Sequence, residues 1–204
     1  MSLFCLDPNF AVTKQHVLFL GPPGAGKGTQ AQQLASRHNL LHLSTGDLLR
    51  AEVAAATTLG LEAQTVMNRG ELVSDALVLA IVRSRLEQQS AALSRGESGP
   101  TGWLLDGFPR NLAQAEALEA LLNELNQPID LVVLMELDDG LLMQRLLSRG
   151  RTDDNAEVIR HRLEVYRAQT EPLITYYRER RLLQAIDSDG TVEAVAHRIE
   201  ALLH

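Results

Sequence analysis

Cysteine is all but missing from this chain. Cys5 is the only one in 204 residues, so neither an internal disulfide nor a multi-cysteine zinc site can form, and a reducing cytoplasm is the compartment predicted. Long apolar runs are missing too, since none approaches the roughly 20 residues that a membrane-spanning helix needs. Met1 to Gln15 has an apolar cluster at Leu3 to Leu6 but no basic region and no small-residue cleavage site, so it does not read as a signal peptide. A soluble protein without a membrane partner is expected. Surplus positive charge is also absent: the formal net charge is -7, which argues against wholesale binding to nucleic acid or anionic lipid, because both require basic surface. Lysine is the scarcest cation. Of 19 lysines and arginines only Lys14 and Lys27 are lysines, and ten of the arginines fall from Arg145 onward. The six histidines show neither metal spacing nor a triad partner and read as surface or helix-end residues.

What is present is the balance of a globular protein, 45% hydrophobic and 22% charged, in a chain long enough to bury a substantial interior. Short apolar runs at His16 to Leu20, Leu40 to Ser44, Trp103 to Asp106, Leu131 to Glu136 and Leu183 to Asp187 alternate with longer segments of helical period. That alternation predicts an α/β fold whose strands form a parallel sheet covered on both faces. Between the second and third runs, Thr45 to about Val73 reads as a small helical subdomain, and Ser74 to Ser90 as one long helix with Ser74 and Asp75 as fitting caps. After the fourth run a helix over Asp138 to Arg149 should break at Gly150. The polar segment Arg151 to Asn155 then leads into a long helix from about Ala156 to Arg180, which Pro172 should kink. Trp103 is expected in the core.

Gly21-Pro22-Pro23-Gly24-Ala25-Gly26-Lys27-Gly28-Thr29 follows the first strand and opens a helix running to His38, the context a phosphate-binding loop requires. Glycines let several backbone N–H groups turn toward one anion, the helix start adds positive potential, and Lys27 brings an ammonium to the outer phosphates. A dinucleotide fingerprint fits less well, because Thr29 stands where its third glycine should be. The strict pattern also wants a hydroxyl directly after the lysine; here Gly28 occupies that place and Thr29 comes one later. Asp106 ends the third strand beside this loop, where its carboxylate either holds the water shell of a magnesium ion or caps the turn.

Three further segments belong with that loop: Leu43-Ser44-Thr45-Gly46-Asp47-Leu48-Leu49-Arg50, Leu105-Asp106-Gly107-Phe108-Pro109-Arg110, and Arg145-Leu146-Leu147-Ser148-Arg149-Gly150-Arg151-Thr152-Asp153-Asp154-Asn155. Together they resemble the adenylate kinase family of nucleoside-monophosphate kinases, from about His16 to Leu203. The resemblance implies a P-loop three-layer fold with a five-stranded parallel sheet, a helical insertion that binds the monophosphate, and a short lid. It divides the chain into a core of residues 16–44, 74–149 and 156–204, a subdomain of residues 45–73, and a lid of residues 150–155. The implied reaction is ATP plus AMP giving two ADP, with magnesium as cofactor, no zinc, and a role in adenine nucleotide homeostasis and salvage.

Carried onto matching positions, the resemblance implies that Gly24, Ala25, Gly26, Lys27, Gly28 and Thr29 hold the ATP phosphates. Arg145 and Arg149 lie along ATP, with Arg149 at the transferred phosphoryl, and Gly190 supplies a backbone contact near the ATP base. Thr45, Arg50, Glu71, Leu72, Val73, Gly107, Phe108, Pro109, Arg110 and Gln114 surround AMP, and Arg151 and Arg162 close over the phosphates. Lys27, Arg110, Arg149, Arg151, Arg162 and Asp106 form the implied catalytic set. Asp153 and Asp154 either orient Arg151 or Arg162 or are solvated loop residues. Only a few residues separate Arg149 from the helix carrying Arg162, unlike the long-lid members. ATP, AMP and ADP are the expected partners of a monomer.

The chemistry suits those residue types. ATP and AMP bring roughly six negative charges into one cleft, since each terminal phosphate has a second pKa near 6. Lys27 and the arginines offset that charge, and a planar guanidinium can hold two phosphate oxygens at once. The acceptor is already an anionic oxygen, so no general base is needed and catalysis reduces to positioning and electrostatics. Rival readings are a UMP or CMP kinase, a nucleotide sensor that keeps the fold without reacting, and a hydrolase. The sensor should have lost Lys27 or the arginine set, and a hydrolase has no use for an acceptor pocket built from Arg50 and Arg110. The pyrimidine kinases tend to carry alanine and asparagine where this chain has Thr45 and Gln114. Thr45→Ala combined with Gln114→Asn is therefore expected to raise activity on CMP relative to AMP; an unchanged ratio of the two kcat/KM values would defeat that assignment.

Overall fold

Side chains along the central strand point alternately into two interiors, and that alternation builds the molecule. In the computed structural model, which describes residues 14–56, 58–69, 73–150 and 155–204, strands β1 (His16–Leu20), β2 (Leu40–Ser44), β3 (Gly102–Asp106), β4 (Leu131–Glu136) and β5 (Leu183–Asp187) form one sheet of order β2-β3-β1-β4-β5. Every pairing is parallel. The strand boundaries match the apolar runs, apart from one extra residue at Gly102.

Leu18 and Leu20 join Leu43, Trp103, Leu105, Val132 and Leu134 on one face of the sheet. There they meet helices α4 (Asp75–Ser94), α5 (Leu112–Glu124) and α8 (Pro172–Glu179), through residues such as Val82, Leu118 and Tyr177. Val17 and Phe19 join Leu104, Leu131, Val133 and Met135 on the other face. This side is covered by α1 (Lys27–His38), α6 (Asp139–Arg149), α7 (Ala156–Val165) and α9 (Val192–Leu203), through residues such as Leu34, Leu146, Ile159 and Ile199. The result is three layers, with the inner strands β1, β3 and β4 buried on both sides as parallel sheets require, while the edge strand β5 is largely exposed. Trp103 is in the core, at 1% exposure. Helices α2 (Thr45–Ala54) and α3 (Thr58–Asn68) follow β2 and lay Leu49 and Ala63 against the first interior.

Side-chain caps fix several helix starts. Ser44, Ser74, Asn111, Asp138, Asn155 and Thr191 each accept a hydrogen bond from a backbone N–H in the first turn of the helix that follows. Gly150 ends α6 in the left-handed conformation, φ 72°. The long segment expected from Ala156 to Arg180 is not one kinked α-helix. It divides into α7, a π-helical turn at Tyr166–Thr170 and α8, with the Glu171 N–H bonded to the Tyr166 carbonyl at 2.9 Å. Pro172 has no N–H with which to continue the α-helical ladder, and the surplus residue of the wide turn accommodates the break. The turn sits where the chain passes between layers: Ile159 and Leu163 of α7 belong to one interior, Leu173 and Tyr177 of α8 to the other.

Strands β1 and β3 are neighbours, yet α1 leaves β1 onto one face and α5 leaves β3 onto the other. A crevice opens at their carboxyl ends, as it does at switch points of open α/β sheets. The chain turns away from β1 at Gly21, whose φ is +144° and where an added Cβ would lie 2.5 Å from the Met135 carbonyl oxygen on β4. Gly21→Ala is expected to cost about 2–4 kcal/mol, from strained backbone plus overpacking. A urea midpoint unchanged from that of the parent would show that β4 yields more easily than this geometry allows.

Candidate active site

The crevice is a cleft of about 790 Å³ at the ends of β1, β2 and β3. Its floor is the loop after β1. Gly24 and Gly26 take positive φ, +90° and +94°, and a Cβ on Gly24 would come within 3.0 Å of Leu146, so the loop packs closely on α6. Gly26 is the N-cap of α1 without a side-chain cap, and Lys27 begins the helix, so the helix N-terminus opens toward the cleft. The Lys27 ammonium folds back over the loop, donating to the carbonyls of Gly21 at 2.7 Å and Pro22 at 2.9 Å. Asp106 closes this end: a Cβ on Gly28 would lie 3.4 Å from its Oδ2.

Lys27, Arg50, Arg110, Arg145, Arg149 and Arg162 all line this one cleft, together with Gly24, Ala25, Gly26, Gly28, Thr29, Asp106, Gly107, Pro109 and Gly190. Their charges act on one another. Burial lowers the Lys27 ammonium to about 8; Asp106 opposes the shift, and Arg110, Arg162 and Arg149 add to it. Burial likewise brings the Arg110 guanidinium down to about 10, with Arg162 and Arg50 pushing the same way and Asp106 resisting. Arg50 pairs with Asp47 at 2.5 Å. Such a cluster of cations is suited to a polyanion.

Arg110 is fixed through its backbone and its side chain. Its N–H donates to Gln114 Oε1 at 2.6 Å, its carbonyl accepts from Thr170 Oγ1 at 2.7 Å, and its Nε donates to the Gly107 carbonyl at 2.7 Å. Gly107, at φ +85°, leaves room for Thr45, since a Cβ there would be 2.9 Å from Thr45 Oγ1, which donates to the Asp106 carbonyl at 3.3 Å. Thr45 and Gln114 are both buried at 2% exposure, and Phe108 packs into the core behind the turn. Val73 is half-buried just before α4. Glu71, Leu72, Arg151, Asp153 and Asp154 lie outside the described residues, as does most of the short lid.

At the opposite end, the loop Asp187 to Gly190 is strapped down by two arginines. Arg145 donates to the Ser188 carbonyl at 3.2 Å, and Arg198 donates to the carbonyls of Asp187 at 2.7 Å and Asp189 at 2.6 Å. Reading from sequence overlooked Arg198, and it overlooked Thr170, whose π-helical turn has no simple sequence signal. It also misplaced histidines. His42 stands on β2 and lines the cleft, with Nε2 buried and no hydrogen-bond partner among the described residues. Burial holds its pKa down against the pull of Asp106 and Asp47. His16 stacks on Trp103, with ring centroids 5.3 Å apart. The signal for His42 was its position two residues before Ser44, on the same side of the strand. Among the described residues, no group of three or more His, Cys, Asp and Glu could hold a metal ion directly.

A glycine-rich strand-to-helix loop, a lysine at the helix start and a ring of arginines over the crevice define a phosphate-loop nucleotide phosphotransferase. The model of the adenylate kinase family matches residues 19–182. The chain is 68% identical over 187 residues to an adenylate kinase of Synechococcus sp. strain RCC307, covering 92% of this chain and 97% of that protein. It is 64% identical to an adenylate kinase of Synechococcus sp. strain CC9311 over 93% of this chain and 99% of the relative, and 62% identical to one of Prochlorococcus marinus strain MIT 9303 with the same coverage. The chain belongs to the adenylate kinase family, and its reaction is phosphoryl transfer from ATP to AMP, giving two ADP.

Because its pKa is lowered, folded Lys27 binds fewer protons than the unfolded chain between about pH 8 and 10.5. Its charge therefore costs stability below that window, and the cost is relieved as pH rises through it. In the free enzyme the ammonium is lost above pH about 8, so kcat/KM for ATP should fall from there, while kcat stays level to higher pH because phosphate oxygens retain the proton in the complex. Lys27→Met should remove most turnover without lowering the melting temperature at pH 7. A kcat/KM profile flat to pH 10 would show that Lys27 does not meet the donor phosphates.

Proposed function

We propose that transfer is direct and in-line within the cleft, ATP entering over the loop after β1 and AMP from the side of α2 and α5. The observation that carries this reading is the clustering of Lys27, Arg50, Arg110, Arg145, Arg149 and Arg162 on one cavity, with Asp106 and Asp47 as the carboxylates among its described lining residues. The α1 N-terminus, Lys27 and the backbone from Gly24 to Thr29 hold the donor phosphates, with Arg145 along the nucleotide and Gly190 near its base. Arg50 and Arg110 hold the acceptor phosphate. Thr45, Gln114, Gly107, Phe108, Pro109 and the segment Glu71, Leu72, Val73 form the adenine side. Arg149 meets the transferring phosphoryl, and Arg151 and Arg162 close over both reactants, which excludes water and suppresses hydrolysis.

Magnesium travels with ATP. The buried Asp106 carboxylate, facing the start of α1 and already acting on Lys27 and Arg110, suits the water shell of such an ion. The ion would add charge neutralisation at the phosphates. The fixed cations do the rest: they remove the repulsion between two anions and align them, and no side chain has to take a proton from the acceptor. His42, kept neutral by burial, needs no such role.

Residues 45–73 act as the acceptor subdomain and residues 150–155 as the short lid, on a core of residues 16–44, 74–149 and 156–204. No helix of the described residues is long and apolar enough to cross a membrane, and we read the protein as a cytoplasmic monomer that balances and salvages adenine nucleotides. The test is the initial rate with ATP and, in turn, AMP, CMP, UMP and GMP, for the parent and for Arg149→Ala. AMP should be strongly preferred, and Arg149→Ala should lower kcat about 10³-fold or more. Equal rates on all four acceptors, or a kcat for Arg149→Ala within about tenfold of the parent, would overturn these assignments.

A further inference from the structure

Gln114 is the buried amide assigned above to the acceptor base, and both of its ends are gripped. Its Oε1 accepts the Arg110 N–H at 2.6 Å, reaching back over the start of α5 like a capping box displaced by one residue. Its Nε2 donates to Asp75 Oδ1 at 2.5 Å. Asp75 comes from a separate element. It is the first residue of α4, directly after the part of the chain assigned to the acceptor subdomain, and the cap of that helix is Ser74, whose hydroxyl accepts from the Leu77 N–H at 3.4 Å.

A primary amide has two N–H donors and two acceptor positions on oxygen. Each end of Gln114 uses one, so the clamped group keeps one donor and one acceptor in the amide plane. N1 and the 6-amino group of adenine, both bonded to C6, offer the matching acceptor and donor. A cytosine ring presents the same two functions on a smaller frame, so rejecting it requires that the amide be unable to swing toward it. The bond from Arg110 fixes only the oxygen and leaves the amide free to turn about that contact. The bond to Asp75 fixes the plane.

We propose that Asp75 is a positioning residue for acceptor selectivity, acting through Gln114. The proposal rests on the reading that Gln114 meets the acceptor base. Strong discrimination by a hydrogen-bonding site arises when the wrong partner leaves buried groups unpaired. An amide that can rotate to find a new partner does not enforce that penalty, so loosening it lowers selectivity before it touches the phosphoryl step.

The experiment measures kcat and KM for AMP and for CMP at saturating ATP, KM for ATP, and melting temperature, in the parent, Asp75→Ala, Asp75→Ser, Asp75→Asn and Gln114→Ala. Serine suits a helix start but is too short to reach Gln114, so it stands in for alanine should the latter fold poorly. Asp75→Ala and Asp75→Ser should each raise KM for AMP about tenfold, as loss of a hydrogen bond to a charged group implies, and lower the AMP-over-CMP ratio of kcat/KM by a similar factor, with KM for ATP unchanged. Asp75→Asn keeps an acceptor oxygen and should restore most of the ratio. A lowered melting temperature with an unmoved ratio in both variants would reduce Asp75 to a helix-start residue and overturn the proposal. If Gln114→Ala lowers the ratio while the Asp75 variants do not, the proposal fails and the acceptor assignment stands; if Gln114→Ala leaves it unmoved, the acceptor assignment fails and takes the proposal with it.

Discussion

Burial of fixed cations beside one another is the constraint to which the rest of this structure answers. Lys27, Arg110, Arg149 and Arg162 face one cavity, and burial with mutual proximity draws Lys27 and Arg110 toward lower pKa values. Holding them together costs free energy in the unliganded chain. The scaffold bears that cost through two interiors of closely packed Leu, Val, Phe and Trp on either side of a fully parallel sheet. Asp106, at the end of β3 and in register with Phe19 of β1, is the carboxylate that moderates the repulsion for both residues. In the reading proposed above, a pair of phosphorylated nucleotides brings negative charge to these cations, so substrate binding also relieves their mutual repulsion.

Much of the positioning is done by backbone groups. Carbonyls of Gly21 and Pro22 receive Lys27, that of Gly107 receives the Arg110 side chain, and those from Asp187 to Asp189 receive Arg145 and Arg198. Backbone dipoles are fixed by the fold and need no reorganisation when charge moves, which is what preorganised electrostatics requires. The arginines are thus aimed by atoms that substitution of a neighbouring side chain does not remove.

The sheet was legible because each of its strands is a short apolar run bounded by polar or glycine residues, and two-sided burial leaves that pattern unmistakable at Leu131 to Glu136. The loop from Gly21 to Thr29 was legible because its glycines stand at a strand-to-helix joint, where Gly24 and Gly26 do take positive φ. Capping by Ser74 and termination at Gly150 followed from local chemistry alone. The π-helical turn was not legible, because Tyr166 to Thr170 carries an ordinary helical composition and only Pro172 hints at a break. His42 was misjudged because burial is a property of the assembled sheet, and its one local sign, the place two residues before Ser44, gives the side of the strand but not the neighbours that cover it. The contacts of Thr170 with Arg110 and of Asp75 with Gln114 join residues far apart in sequence, and no spacing rule reports them.

The wide turn at Tyr166–Thr170 also fixes a rotational phase. Each residue of an α-helix advances the side chains by about 100°, so the surplus residue sets the azimuth of α7 relative to α8. Ile159 and Leu163 can then enter one interior while Leu173 and Tyr177 enter the other, with Arg162 still on the cleft wall. Deleting one residue there would twist the two rods out of phase, and either the aromatic anchor or the arginine would have to give up its seat.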